Sequence, residues 1–151
     1  MRTVDRVGTA SDMIAPLEQI AIGAVAITAR ALAMAAGELT LLQWRVLVIA
    51  GDAPTGAYVG EIGRRIGISP PSATRVIQRM ERQGLVELDR DDTDRRHVRV
   101  RLSADGRRIR DAVMRERRSR IAALLGDAGV VADAADTVLL QAIADALVAD
   151  G

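Results

Sequence analysis

Residues 68–88 read Ile68-Ser69-Pro70-Pro71-Ser72-Ala73-Thr74-Arg75-Val76-Ile77-Gln78-Arg79-Met80-Glu81-Arg82-Gln83-Gly84-Leu85-Val86-Glu87-Leu88. Ser69 is a residue type that accepts from the free N–H groups of a helix start. Proline is favoured in the first turn, where a missing N–H costs nothing. A helix is therefore predicted from Pro70 to about Gln83, stopped at Gly84, with a short strand over Leu85–Leu88 after it. Within the helix Ala73, Val76, Ile77 and Met80 stand at i, i+3, i+4 and i+7, one inward face. Ser72, Thr74, Arg75, Gln78, Arg79 and Arg82 are left to point outward.

Working outward, Val59, Ile62 and Ile66 stand at i, i+3 and i+7, which predicts a short helix beginning at Tyr58 or Val59 and ending at Gly67. On the other side His97 to Leu102 reads His-Val-Arg-Val-Arg-Leu. Val98, Val100 and Leu102 alternate with Arg99 and Arg101, the period of a strand. Two strands around the polar stretch Asp89–Arg96 make a β-hairpin with a long connection. A short helix, a glycine-containing turn, a polar-faced helix and a hairpin is a helix-turn-helix with an appended wing, an arrangement that lays its second helix in the DNA major groove.

The residue chemistry agrees with that reading. Ser69, Pro71, Ser72, Thr74, Arg75, Gln78 and Arg79 are the candidate DNA-binding residues of the helix. Its start offers free N–H groups and a positive dipole end to a phosphate. Arg75 and Arg79, four residues apart, share a face, and arginine is the side chain best shaped for bidentate contact with guanine. At the hairpin Arg90, Arg95 and Arg96 are candidates for the narrow minor groove. Asp94 is expected to hold Arg96 or cap the turn, and Arg99 and Arg101 to meet the sugar-phosphate backbone.

Charge is distributed to match. All 21 basic residues are arginine. Residues 64–120 hold 17 of them against nine acids, a net of +8, whereas the rest of the chain holds four against 11, a net of −7. A basic middle between acidic flanks points the middle at a polyanion. The flanks are apolar as well as acidic. A helix is expected from Ser11 or Asp12 to Ala36, stopped at Gly37, with apolar side chains around much of its circumference. Such a helix calls for burial on several sides, by a partner chain among other means. Thr40 is the expected cap of a helix over Leu41–Ala50, broken by Gly51-Asp52-Ala53-Pro54. Ser103 is the expected cap of a helix over Ala104–Leu125, and a last helix covers 133–149.

Composition excludes several functions. The chain has no Cys and one His, so thiol chemistry, disulfides and multi-histidine metal sites within one chain are absent. No Ser/His/acid set or phosphate loop is present, and Asp91, Asp92 and Asp94 lack the spacing of a calcium loop. No enzyme activity and no cofactor are expected. Arg2 and Arg6 precede an apolar run from Ile20 to Ala29, but Asp5, Asp12 and Glu18 spoil a signal peptide. No uncharged run reaches the ~18 residues of a membrane span. A cytoplasmic protein without membrane association is expected. With two aromatic residues, Trp44 and Tyr58, and no Phe, the core rests on Ala, Leu, Ile, Val and Met. That favours packed helices.

Asp94, Arg95, Arg96, five further residues, Leu102 and Ser103 resemble the wing motif of the MarR family of bacterial regulators, with Ser103 in place of the usual Thr. Ser69–Arg75 and Met80–Val86 resemble the family's recognition helix and its exit. The resemblance covers about Leu39–Ile109 and implies a mainly α fold with a β-hairpin wing. It divides the chain into an N-terminal dimerisation helix (1–37), a winged helix-turn-helix (38–103) and C-terminal dimerisation helices (104–151). It gives Asp94, Leu102 and Ser103 a structuring role at the wing. It also implies a homodimer on pseudo-palindromic double-stranded operator DNA, a repressor released by a small aromatic or lipophilic effector. Met34, Trp44 and Arg45 are the candidate effector pocket. The competing reading is a winged-helix adaptor or antirepressor that binds protein. That role calls for apolar anchors on helix 70–83, where the sequence offers Ser, Thr, Gln and Arg. An architectural DNA binder would differ by a small specificity ratio.

Overall fold

A computed structural model of the chain describes residues 9–35, 37–90 and 98–150. A 3-10 turn at Ala10–Met13 leads into α1 (Ile14–Ala35). Then follow α2 (Leu41–Asp52), β1 (Ala57–Tyr58), α3 (Val59–Ile66), α4 (Pro70–Arg82), β2 (Val86–Arg90), β3 (Val98–Leu102), α5 (Ala104–Asp127) and α6 (Ala134–Asp150). The architecture is mainly α with one small antiparallel sheet.

Local chemistry sets the boundaries. Ahead of α1 the Asp12 carboxylate accepts from the Thr9 N–H at 2.7 Å and the Thr9 hydroxyl at 3.0 Å. Those two bonds hold its carboxyl below the usual carboxylate range. At α2 the Thr40 hydroxyl accepts from the Gln43 N–H at 3.2 Å while Gln43 Oε1 accepts from the Thr40 N–H at 3.0 Å, a reciprocal capping box. The amide end of the same Gln43 donates to Gln83 Oε1 at 2.8 Å, which ties the start of α2 to the end of α4. Thr40→Ala is expected to cost about 1 kcal/mol of folding stability, measured by urea unfolding. An unchanged midpoint would mean that the box carries no net stability.

The helix α2 does not break at Gly51 as the sequence suggested. It continues to Asp52 and ends at Ala53, whose backbone is extended. Gly51 serves close packing instead. A Cβ there would lie 2.7 Å from Arg110 Nε and 2.9 Å from Leu102 Cδ1.

The sheet has three strands, in the order β1-β3-β2. The hairpin pairs Val86 with Leu102, Glu87 with Arg101 and Leu88 with Val100. Alternation turns Val86, Val100 and Leu102 into the core. The additional strand β1 pairs Ala57 with Val100 and Tyr58 with Arg99. Two residues are too few to display a period, so the sequence offered no sign of it.

Two apolar clusters share α2. One gathers Val46, Leu47, Ile62, Ile77, Met80 and Val100 with their neighbours behind the sheet, α3 and α4. The other joins Trp44 of α2 to Ala31 and Leu32 of α1 and Val113 of α5. Beyond these, the outer helices bury little. On α1 the buried residues are Thr28, Ala31 and Leu32, while Ile20, Ile22 and Val25 are more than half exposed. Leu124, Val138, Leu140 and Leu147 are also exposed. The stretch Ala10–Ala35, though interrupted by Glu18 and Arg30, is long and apolar enough to cross a membrane by length and composition, a property that core helices of soluble proteins share.

Candidate nucleic-acid interface

The turn between α3 and α4 is built on Gly67, whose φ of +73° is left-handed and suits glycine. Its N–H donates to the Arg64 carbonyl at 3.2 Å, and the Ile68 N–H to the Gly63 carbonyl at 3.0 Å, which closes α3. The two helices approach closely, because a Cβ at Gly63 would lie 3.0 Å from Ala73 Cβ. Pro70 and Pro71 then start α4. Ser69 occupies the cap position, but its side chain makes no cap hydrogen bond. Its hydroxyl donates to the Ser72 hydroxyl at 3.0 Å instead, which corrects the sequence expectation.

The α4 faces divide much as the spacing predicts. Ala73, Ile77 and Met80 are buried and Val76 is half-buried. Ser69, Pro71, Thr74, Arg75, Gln78, Arg79 and Arg82 are exposed, and Ser72 is half-buried. The Thr74 hydroxyl donates to the Pro70 carbonyl at 3.0 Å, so the oxygen offered outward is an acceptor. Arg75, Gln78 and Arg79 thus form an outward polar strip on a helix clamped from behind by the larger core.

At the wing, Leu102 is buried in that core. The Ser103 hydroxyl accepts from the Gly106 N–H at 2.9 Å and donates to the Gly84 carbonyl at 2.6 Å, joining the start of α5 to the exit of α4. The backbone of Arg90 pairs with Val98. Asp94, Arg95, Arg96 and the side chain of Arg90 lie outside the described residues. Arg99 and Arg101, expected at the sugar-phosphate backbone, each also bond within the protein, and Arg101 remains exposed. The Arg99 guanidinium lies 4.8 Å from the centre of the Tyr58 ring and donates to the Tyr58 hydroxyl. Arg101 Nε donates to the Thr55 carbonyl at 3.4 Å. No local pattern announced the Tyr58–Arg99 pair, which is 41 residues apart in sequence.

The candidate effector residues occupy three different settings. Trp44 is buried in the second core. Arg45 is exposed and donates to the Arg65 carbonyl at 2.6 Å. Met34, 74% exposed, lines a cleft of about 180 Å³ between α1 and α5 with Ile27, Arg30, Glu116 and Arg120. The pocket expected from Met34, Trp44 and Arg45 together is not the lining of that cleft. Adjacent residues of a helix point about 100° apart, which separates Trp44 from Arg45. Nearby on α5, burial pushes the Arg117 guanidinium pKa down.

Residues 38–97, the segment carrying α2 to the wing, match the family model described as "MarR family". This segment resembles a MarR-family winged helix. A curated relative, the transcriptional activatory protein BadR of Rhodopseudomonas palustris, is 35% identical over 99 residues. That match takes in 63% of this chain and 56% of the relative, so the chain spans little more than half of that protein's length. Among solved structures, RV1404 from Mycobacterium tuberculosis superposes with a TM-score of 0.75 at 23% identity, covering 99% of both chains. CouR from Rhodococcus jostii RHA1, bound to p-coumaroyl-CoA, superposes with a TM-score of 0.64 at 24% identity, covering 94% of this chain and 93% of that one. The fold shared with these structures therefore extends over the flanking helices as well as the winged segment.

Proposed function

We propose that the protein is a sequence-specific, double-stranded DNA-binding transcriptional regulator that acts as a homodimer and represses. The observation that carries this reading is the outer strip of α4, where Arg75, Gln78 and Arg79 are exposed on a helix whose opposite side is buried. Arginine and glutamine are base-edge readers, and a strip without apolar anchors does not suit a protein partner. The net of +8 over residues 64–120 supports the same target. In this reading 1–37 and 104–151 pair two chains, 38–103 meets the operator, and the protein works in the cytoplasm. Arg90, Arg95 and Arg96 reach the minor groove, with Asp94 ordering them.

The test is binding to the DNA upstream of its own gene against a scrambled duplex, across a salt series. Tight binding with a steep salt slope, a large specificity ratio and two chains per site is expected. Weak binding to both duplexes by a normally assembled protein would favour the adaptor reading. Arg75→Ala is expected to lose about 10- to 100-fold in specific affinity, one bidentate base contact, and little on scrambled DNA. Equal losses on both would refute Arg75 as a base reader. A reporter driven by the same promoter reads the sign of regulation. Repression predicts higher output when the gene is deleted, and a fall would align the chain with its activatory relative.

A small aromatic or lipophilic effector is proposed to enter between α1 and α5 beside Met34. The support is the cleft itself and the p-coumaroyl-CoA held by the structurally similar CouR.

A further inference from the structure

A cleft of about 510 Å³ opens between the C-terminal end of α2, the segment leading into β1, the outer side of β3 and the first turns of α5. Its size is that of a small-molecule site, but its lining is polar. Arg101, Arg107, Arg110, Glu87 and Asp111 all face it. Arg110 is already engaged. It donates to Asp52 and has Asp111 within 3.6 Å. Its Nε is buried against Gly51 without a hydrogen-bond partner.

The other two guanidiniums are held differently. Arg107 Nη1 donates to the Leu102 carbonyl at 2.6 Å. Arg101 uses Nε, donating to the Thr55 carbonyl. A guanidinium has five N–H donors, so Arg107, bonded at 2.6 Å, and Arg101, held loosely at 3.4 Å, each keep donors without a partner among the described residues. Two charged donor groups lining one cleft suit an oxyanion, which accepts charge-assisted hydrogen bonds from both. Glu87 stands opposite Arg101 in the strand register, with no ion pair among the described residues. A bare polyanion would meet repulsion from Glu87 and Asp111. A ligand that also carries N–H or O–H groups turns both carboxylates into acceptors.

We propose that this cleft at the root of the wing binds a small organic oxyanion, a carboxylate or phosphate ester bearing hydroxyl or amino groups. Its oxygens lie on Arg101 and Arg107 and its donors face Glu87 and Asp111. The site is separate from the cleft beside Met34 and from the outer strip of α4. Because it touches both β3 and α5, its occupant fastens the wing to the long helix.

The test uses the full chain, no DNA, and three probes at constant ionic strength: citrate, tricarballylate (citrate without its hydroxyl) and inorganic phosphate. Titration calorimetry and thermal melting are followed together, since a ligand of the native state raises the melting temperature. Citrate is expected to bind saturably and more tightly than tricarballylate. Arg107→Gln on α5 and Arg101→Gln on β3 are each expected to weaken it at least about tenfold, the loss of one charged hydrogen bond. Arg108→Gln removes an exposed charge one residue along α5 that pairs with Asp105 and is expected to leave binding unchanged. Either wall variant suffices if the other melts early without ligand. No saturable binding of any probe up to about 10 mM, a dissociation constant weaker than any useful site, would overturn the proposal. So would equal losses in Arg108→Gln and the wall variants, which would mark general charge screening. Because DNA is absent, the outcome is independent of the reading of α4.

Discussion

Gly106→Ala is expected to destabilise the protein by about 3 kcal/mol, the upper part of the range for overpacking a tight site. In an exposed helix interior the same change stabilises by about 1 kcal/mol, so the sign itself is informative. Gly106 lies in the first turn of α5, against the segment that leaves α4. An added Cβ would come within 2.0 Å of the Leu85 carbonyl oxygen and 3.1 Å of its carbon. That oxygen cannot swing aside, because it accepts from the Ser103 N–H at 3.2 Å, and the Ser103 hydroxyl is bonded to Gly84 next to it. The backbone of one segment must move, and the start of α5 and the base of β2 move with it. Gly126→Ala, in the same helix, meets nothing within 4 Å and is expected to be neutral or stabilising. The urea midpoint should fall for Gly106→Ala and hold or rise for Gly126→Ala. A shared direction would mean that the close approach at Leu85 does not constrain the fold.

The second large effect is expected at the outer helices and rests on the proposed homodimer. Leu139 and Leu147 of α6 are 49% and 67% exposed in the single chain, among many other uncovered apolar side chains on α1, α5 and α6. Patches of that extent mark an interaction surface. Leu139→Glu combined with Leu147→Glu puts two carboxylates where apolar contact is proposed. Burying unpaired charge costs several kcal/mol, so association should weaken by about a thousandfold or more. Sedimentation velocity is expected to report a monomer, and operator binding should fall with it because each chain then addresses one half-site. A variant that remains dimeric at micromolar concentration would show that α6 lies outside the interface. The same surface explains why α1 satisfies the length and composition of a membrane span. Helices apolar on several sides are suited equally to lipid and to a second protein, and only the partner distinguishes them.

What could be read from the sequence follows the reach of each signal. The starts and stops of α3 and α4 depend on Gly67, Pro70 and Gly84, whose backbone preferences act within one or two residues. The spacing of Ala73, Ile77 and Met80 is a property of a single helix. Both were legible. Thr40 and Ser103 cap as their residue types suggest, yet Ser69, with the same chemistry and position, bonds Ser72 instead. A hydroxyl's choice between two neighbours is not encoded by its type. Gly51 looked like a helix stop and is a packing contact, because its reason is Arg110, far along the chain. The strand β1 is too short to have a period, and the partner of Arg99 arrives only with the sheet. The candidate effector set is divided among three settings for a related reason. Met34, Trp44 and Arg45 were joined by chemical type, whereas the helix geometry of α2 aims its two members at different neighbours. The wing residues Asp94, Arg95 and Arg96 rest on the motif, since they lie outside the described residues.

Gln43 and Trp44 are adjacent on α2, yet they serve different neighbours. Trp44 is wedged among Ala31, Leu32 and Val113, and Gln43 grips the far end of α4 through Gln83. A helix is stiff over one turn, and close-packed interiors resist compression. Two neighbouring side chains of one helix thus join the α1–α5 layer to the end of α4, the first by packing and the second by a single hydrogen bond.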